Sequence, residues 1–236
     1  MKRLPVVLGV VSVIGLSGPA SAASAAPVYC ALKPTFTVAQ VIWVDGSGSR
    51  QTTRLCARVS SGRYVVQQGP YAGHLGRNGV AAPGAKREGD GKTPYGIYPM
   101  RWGFGTYANP GLASSWLVTG WRNVWVDDSR SALYNTHQRT PVNSRWTSAE
   151  KLRVSPAYNY AQVIGYNEAR MPLRGSAIFL HVDQGRATAG CVSLPTSSLL
   201  GGDALAAARC LDLHYAVRGL VVAQRTVPGF VRFRTA

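Results

Sequence analysis

Residues 69–111 carry eleven Gly and five Pro in 43 positions, and this density constrains the fold more than any other stretch. A Gly inside a helix costs about 1 kcal/mol relative to Ala and a Pro about 3 kcal/mol, so no helix of ordinary length can form there. Extended loop with short strands is the expected outcome. The charge content points the same way: Asp, Glu, Lys and Arg make up 15% of the chain, against about a quarter in an average soluble protein, which disfavours charged helical bundles. Apolar residues at 46% of 236 positions are enough for a compact core, so wholesale disorder is excluded.

Strand-like runs at 38–44, 53–59 and 64–68, with a turn at Asp45-Gly46-Ser47-Gly48, predict an antiparallel meander. Further strands are expected at 159–166 and 176–182, the second apolar on both faces and therefore central. Residues 214–224 and 230–234 close the chain as strands. Two helices are expected. Thr147-Ser148-Ala149-Glu150 has the T-x-x-E form of a capping box and opens a short helix toward Val154. Residues 196–211 place Leu199, Leu200, Leu205, Ala208 and Leu211 at helical spacing. With no internal repeat or composition shift, residues 26–236 read as a single, mainly β domain.

Residues 1–25 read as a secretory signal peptide: Lys2 and Arg3, an apolar core from Leu4 to Leu16, then small residues with A-x-A sites at Ala20-Ser21-Ala22 and Ala23-Ser24-Ala25. The 13-residue apolar core is shorter than the ~20 residues needed to span a bilayer, and no later stretch is long and apolar enough to cross one. A secreted protein, extracellular or periplasmic, is expected. Four cysteines, Cys30, Cys56, Cys191 and Cys210, then allow three pairings. A Cys30 to Cys56 disulfide, tying the mature N-terminus to the body and leaving Cys191 free, is the economical expectation. Cys191 to Cys210 is the rival.

Chemistry concentrates between residues 176 and 195. An apolar strand ends in His181, a loop of small and polar residues follows, and Gly190-Cys191 opens the next short strand, which Pro195 stops. With the two strands side by side, the Cys191 thiol approaches the His181 imidazole. A thiolate paired with an imidazolium is a nucleophile at neutral pH, and the imidazole can return the proton to a leaving amine. Gly190 leaves its N–H unobstructed, so amides near Cys191 could receive an oxyanion. Cys191 taken alone would be a small buried hydrophobe or half of a disulfide; its setting after His181 and Gly190 favours the nucleophile.

Four ordered motifs accompany this segment: Gly76-Arg77-Asn78-Gly79; Glu88-Gly89-Asp90-Gly91-Lys92-Thr93-Pro94-Tyr95-Gly96-Ile97-Tyr98-Pro99; Trp125-Val126-Asp127-Asp128 continuing to Tyr134-Asn135; and Gly175 to His181 with Thr188-Ala189-Gly190-Cys191-Val192. Together they resemble the L,D-transpeptidase catalytic domain family (YkuD-like), over most of the mature chain. The resemblance implies a β-sandwich of mixed sheets with one or two helices. It also implies Cys191 as nucleophile, His181 as base oriented by a main-chain carbonyl, and Gly190 and Cys191 amides as oxyanion donors. The implied substrates are peptidoglycan stem peptides, attacked at an L-centre to give a thioacyl enzyme that passes to an amine (cross-linking) or to water (L,D-carboxypeptidase). No cofactor or metal is implied. This chain departs from the common Ser-His-Gly-Cys-x-Arg form at Ala189 and Ser193. Thr188, Ser193, Arg186 and Tyr134 are the candidate substrate-contacting residues, with Arg186 placed to supply the missing cation. A monomer is expected.

Competing classes are a wall-binding module that keeps the fold without turnover, and a zinc hydrolase using His181, Asp183 and Cys191, for which no H-E-x-x-H or C-x-x-C pattern exists. The net charge of +16 comes from 21 Arg and 5 Lys scattered along the chain, without the clustered motif that nucleic-acid recognition requires. Loss of Lys2 and Arg3 with the signal would leave +14, a charge that draws the domain to anionic cell-wall polymers. Glu88, Asp90 and Lys92 are expected to stabilise their loop, Asp127 and Asp128 to cap backbone amides, His74, His137 and His214 to be surface or core residues, and Trp102, Trp116 and Trp121 to sit in the core or along a groove.

Overall fold

The computed structural model describes residues 26–32, 37–141 and 143–200, and the backbone of 213–219. The expected signal segment, Cys210 and the expected strand at 230–234 lie outside the described residues. The protein is mainly β, built on a curled mixed sheet with one small helix. Strands β1 (Tyr29–Cys30), β2 (Gln40–Ser47), β3 (Arg50–Arg58) and β4 (Tyr64–His74) come first, and β2, β3 and β4 form the antiparallel meander. The first turn falls at Gly48, whose φ of 56° suits glycine, so β2 runs on through Asp45 to Ser47 rather than turning there.

The glycine-rich segment does contain one long strand, β5 (Gly96–Gly105), which later elements hold on both sides. Short strands follow: β6 (Trp116–Val118), β7 (Asn123–Val126), β8 (His137–Arg139), β9 (Ala149–Lys151), β10 (Ala161–Ile164), β11 (Phe179–Val182) and β12 (Val192–Leu194); then α1 (Thr196–Leu200) and β13 (Leu213–Gly219). Ten of these strands make one sheet in the order β1-β4-β12-β11-β10-β5-β13-β2-β3, with β6 on β5. Because β4 pairs with both β3 and β12, the sheet curls until it closes. β8, β7 and β9 form a separate three-stranded sheet.

The expected helix from Thr147 is instead β9, paired to β7. A capping box needs the Thr hydroxyl and the Glu carboxylate turned back onto their own backbone. Here the Thr147 amide and hydroxyl both donate to Asp128 Oδ2, at 2.9 and 2.7 Å, and Glu150 accepts from the Tyr158 hydroxyl. The helix expected at 196–211 starts at Thr196 and is described to Leu200; its remainder lies outside the described residues.

Two main apolar clusters divide the faces of the large sheet. One contains Ile42, Val44, Leu55, Leu75, Leu180, Val182, Val192 and Leu194, with Leu199 of α1. The other contains Phe104, Trp125, Tyr158, Ala161, Phe179 and Cys191, joining β5, β10 and β11 to β7 of the small sheet. The central place expected for residues 176–182 is met by β11, which lies between β10 and β12 with all four residues buried.

Candidate functional site

Alternation along a strand sorts the side chains of β11 and β12. Leu180 and Val182, with Val192 and Leu194, enter the first cluster, so Phe179, His181 and Asp183 occupy the other face. The two strands are parallel, pairing Leu180 with Val192, His181 with Ser193 and Val182 with Leu194. In-register neighbours share a face, which puts Cys191 and Ser193 beside Phe179 and His181. Cys191 and His181 are thus a diagonal pair on adjacent strands, about 7–8 Å apart at Cα in ordinary sheet geometry.

Cys191 is a free, buried thiol. Its Sγ donates to the Ala177 carbonyl at 3.2 Å and accepts from the Phe179 amide at 3.4 Å, so in this state the thiol contacts main chain rather than the His181 ring. Burial, followed by the nearby Glu150 charge, pushes the thiol well above its ordinary range. The expected thiolate–imidazolium pair is therefore not the resting state; the thiol is neutral. His181 is buried too, and desolvation lowers its pKa. Its Nδ1 lies 2.9 Å from the Val182 carbonyl. A carbonyl can only accept, so Nδ1 carries the proton and Nε2 is left as the basic nitrogen.

Tyr158 links the two. Its ring meets the His181 imidazole edge-on and also packs against Phe104 and Phe179. Its hydroxyl donates to Glu150 and interacts with the Cys191 sulfur. Desolvation, reinforced by Asp127 and Glu88, raises Glu150 to about 7 despite the hydrogen bond from Tyr158. Tyr158 was marked by no motif, and Glu150 only by the T-x-x-E pattern read as a helix start; the contacts of Tyr158 with Phe104 and Phe179 arise from the fold.

Gly190 sits under the Lys92 main chain, where an added Cβ would come within 3.0 Å of the Lys92 carbonyl oxygen. Its N–H donates to Thr188 Oγ1 at 3.1 Å, and that hydroxyl donates to the Cys191 carbonyl at 2.7 Å. Thr188 therefore braces the loop, and the Gly190 amide is not open to an oxyanion. Ser193 is buried and donates to Asp183 Oδ1 at 2.6 Å, while His74 Nδ1 binds the same oxygen at 2.8 Å. Against the upward push of burial, hydrogen bonds from Ser193 and His74 hold the Asp183 carboxyl below its usual range. Arg186 is exposed in the loop.

Tyr134 is a correction: it is 1% exposed, with its hydroxyl donating to Glu88 and accepting from the Gly175 amide at 3.0 Å, so it holds the floor of the fold and cannot line a groove. Ser176 Oγ also donates to Glu88, at 2.8 Å. Asp90 pairs with Lys86 at 2.7 Å rather than with the Lys92 side chain, and accepts from the Lys92 amide. Trp102 stacks near Trp125 and His137, Trp116 near Tyr160, and Trp121 is exposed beneath the Arg153 guanidinium. His214 lies in β13, described by its backbone alone.

Cys30 is joined to Cys56, tying β1 to β3. Among the described residues no group of three His, Cys, Asp or Glu side chains converges as a metal site, and Asp183 is turned to His74 and Ser193. Among the described residues, too, no helix is long and apolar enough to cross a membrane.

No protein-family model and no curated protein matches the sequence. Among solved structures, the helical cell shape determining protein Pgp2 from Campylobacter jejuni is similar at 12% identity and a TM-score of 0.39, covering 77% of this chain and 48% of that one. A lysine-to-alanine variant of the same protein gives 12% identity and a TM-score of 0.40, over 82% and 49%. The chain spans about half the length of these structures, and at such identity and score the likeness transfers no residue role.

Proposed function

We propose that the protein is an exported cysteine acyl-transferase acting on peptidoglycan stem peptides, an L,D-transpeptidase, with Cys191 as nucleophile and His181 as base. The observation that carries this reading is the placement of Cys191 and His181 as a diagonal pair on one face of adjacent parallel strands, with Val182 holding Nδ1 so that Nε2 stays basic. The resemblance of the His181 and Gly190-Cys191 segments to the family supplies the substrate class. The disulfide and the signal-like N-terminus support an oxidising, extracytoplasmic location, and the net charge of +16 supports retention by anionic wall polymers.

Reaction starts with rotation of the thiol from the Ala177 carbonyl toward His181. Nε2 takes the S–H proton as sulfur attacks the carbonyl carbon. Because the Gly190 N–H is engaged by Thr188, the Cys191 amide is the oxyanion donor assigned here. Breaking the C–N bond delivers the proton from Nε2 to the departing amine and leaves a thioester. An acceptor amine then attacks, losing its proton through His181, and the thiol is restored; water in the same place gives carboxypeptidase activity.

A second reading, a wall-binding module without turnover, is favoured by one observation: the thiol rests on Ala177 and is held neutral. Intact mass after incubation with a carbapenem separates the two. A stable adduct that is lost in Cys191→Ala and slowed in His181→Gln supports the enzyme; an unmodified protein supports the binding module. Digestion of sacculi and analysis of the muropeptides then distinguishes cross-linking from trimming.

A further inference from the structure

The small sheet brings a carboxyl to the cluster that contains Cys191. Glu150 of β9 is in register with Trp125 of β7, and in-register neighbours share a face, so Glu150 turns with Trp125 toward Tyr158, Phe179 and Cys191. Its Oε1 accepts from the Tyr158 hydroxyl, and that hydroxyl also interacts with the Cys191 sulfur. Tyr158 therefore stands between an acid and a thiol with one proton to give. Desolvation raises Tyr158 well above its ordinary range, so the hydroxyl keeps that proton. The acyl-transfer steps set out above make no use of Glu150.

We propose that Glu150 is a positioning residue whose protonation state sets the reactivity of the Cys191 thiol, with Tyr158 as the link between them. A carboxylate can only accept, whereas a carboxylic acid has an O–H to give. Protonated Glu150 donates to the Tyr158 oxygen and releases the Tyr158 O–H toward sulfur, where it steadies the charge that develops as the thiol loses its proton. Ionised Glu150 claims the Tyr158 proton and places a like charge near the sulfur, which opposes the thiolate. The switch falls near neutrality because desolvation lifts Glu150 to about 7, with Asp127 and Glu88 adding to the rise. Asp127 accepts from Ser148, and Glu88 from Tyr134 and Ser176. Lys86, which acts on the sulfur in the opposite sense, is paired with Asp90. His137 of β8, in register with Trp125, is lowered by burial and by Arg139, and His181 is lowered by burial, so both are uncharged where Glu150 titrates. The role of Cys191 as nucleophile rests on the acyl-transfer reading; the coupling of carboxyl to thiol does not.

The test follows alkylation of Cys191 in the mature chain by iodoacetamide from about pH 5.5 to about pH 9, read by peptide mapping, with carbapenem acylation measured in parallel by intact mass. A thiol titrating alone gains about 10-fold in rate per pH unit below its pKa. The native profile is expected to flatten as Glu150 ionises and then to resume its slope. Glu150→Gln keeps the neutral form throughout; it should follow the native protein below about pH 6 and react at least ~10-fold faster at about pH 8.5, with a straight profile. Tyr158→Phe should be slower than the native protein at about pH 6, where the released hydroxyl acts on sulfur. Superimposable native and Glu150→Gln profiles overturn the proposal, and so does a change in thermal unfolding with no change in profile, which would leave Glu150 a structural residue. Alkylation through unfolding carries the opposite sign, because ionising Glu150 destabilises the native chain and steepens its profile; that result overturns the proposal too. A flattened alkylation profile in a protein that carbapenem fails to acylate keeps the coupling and removes the acyl-transfer reading; acylation with a straight profile does the reverse.

Discussion

The Tyr158 ring meets the His181 imidazole edge-on, with centroids 5.4 Å apart and planes at 84°. The same tyrosine donates its hydroxyl to Glu150, so one side chain packs on the imidazole with its ring and holds the Glu150 carboxyl with its oxygen. Edge-to-face packing holds the imidazole plane without using either ring nitrogen, and Nε2 stays available.

Tyr158→Phe keeps the ring contact and removes the hydroxyl. Glu150 then loses its buried donor, and unfolding free energy measured with urea should fall by about 1–3 kcal/mol. Tyr158→Ala also loses the contacts to Phe104, Phe179 and His181, and should cost about 3–5 kcal/mol.

Glu150 gives the stability a pH dependence of definite sign. Its carboxyl is raised from 4.5 to about 7 in the folded protein, so the native state binds this proton more tightly than the unfolded chain does. Its stabilising contribution is complete below the unfolded value and is lost as pH rises through about 7. Denaturation midpoints of the native protein should therefore decline over that window relative to Glu150→Gln, whose profile should be flatter. Parallel profiles would mean that Glu150 is not raised.

The Cys30 to Cys56 bridge closes 26 residues, which corresponds to about 3.5 kcal/mol in the chain-entropy account of loop closure. The double variant Cys30→Ala with Cys56→Ala should lose roughly that much, and reductant should lower the melting temperature of the native protein while leaving the double variant unchanged.

Gly73 lies where β4 meets both β3 and β12. A Cβ there would fall 2.0 Å from the Ser193 carbonyl oxygen and 2.3 Å from Gln51 Nε2. Gly73→Ala should separate β4 from β12, costing about 3–5 kcal/mol, and should abolish carbapenem acylation although it touches neither Cys191 nor His181.

Because burial holds Cys191 neutral, iodoacetamide should alkylate it slowly at neutral pH and rapidly once urea unfolds the chain. Peptide mapping distinguishes it from Cys210. Alkylation as fast in the folded as in the unfolded protein would show that the thiol is not enclosed.

The β11 to β12 arrangement was legible because its signals are local: an apolar run ending in His181, a short loop, and a Gly-Cys pair stopped by Pro195. Strand alternation then puts Asp183 on the His181 face from sequence alone, and could have found the cluster with Ser193. Glu150 and Tyr134 were misread for the opposite reason. The T-x-x-E pattern at Thr147 is a sound local signal, but Asp128 captures the Thr147 amide and hydroxyl and Tyr158 engages the carboxylate; such tertiary partners override propensity. Tyr134 carries no mark in its neighbours that Glu88, 46 residues away, will bury its hydroxyl. The length of β5 was hidden by glycines that sequence reads as loop but that here belong to a strand paired on both sides.

The pairing of β4 with both β3 and β12 also bears on how the molecule behaves in company. A sheet that closes on itself offers little unpaired backbone to another chain. Among the described residues the lateral strands that remain are brief: β1 has two residues, and β6, β8 and β9 have three each. Among the described residues, templates for edge-to-edge pairing with another chain are correspondingly scarce.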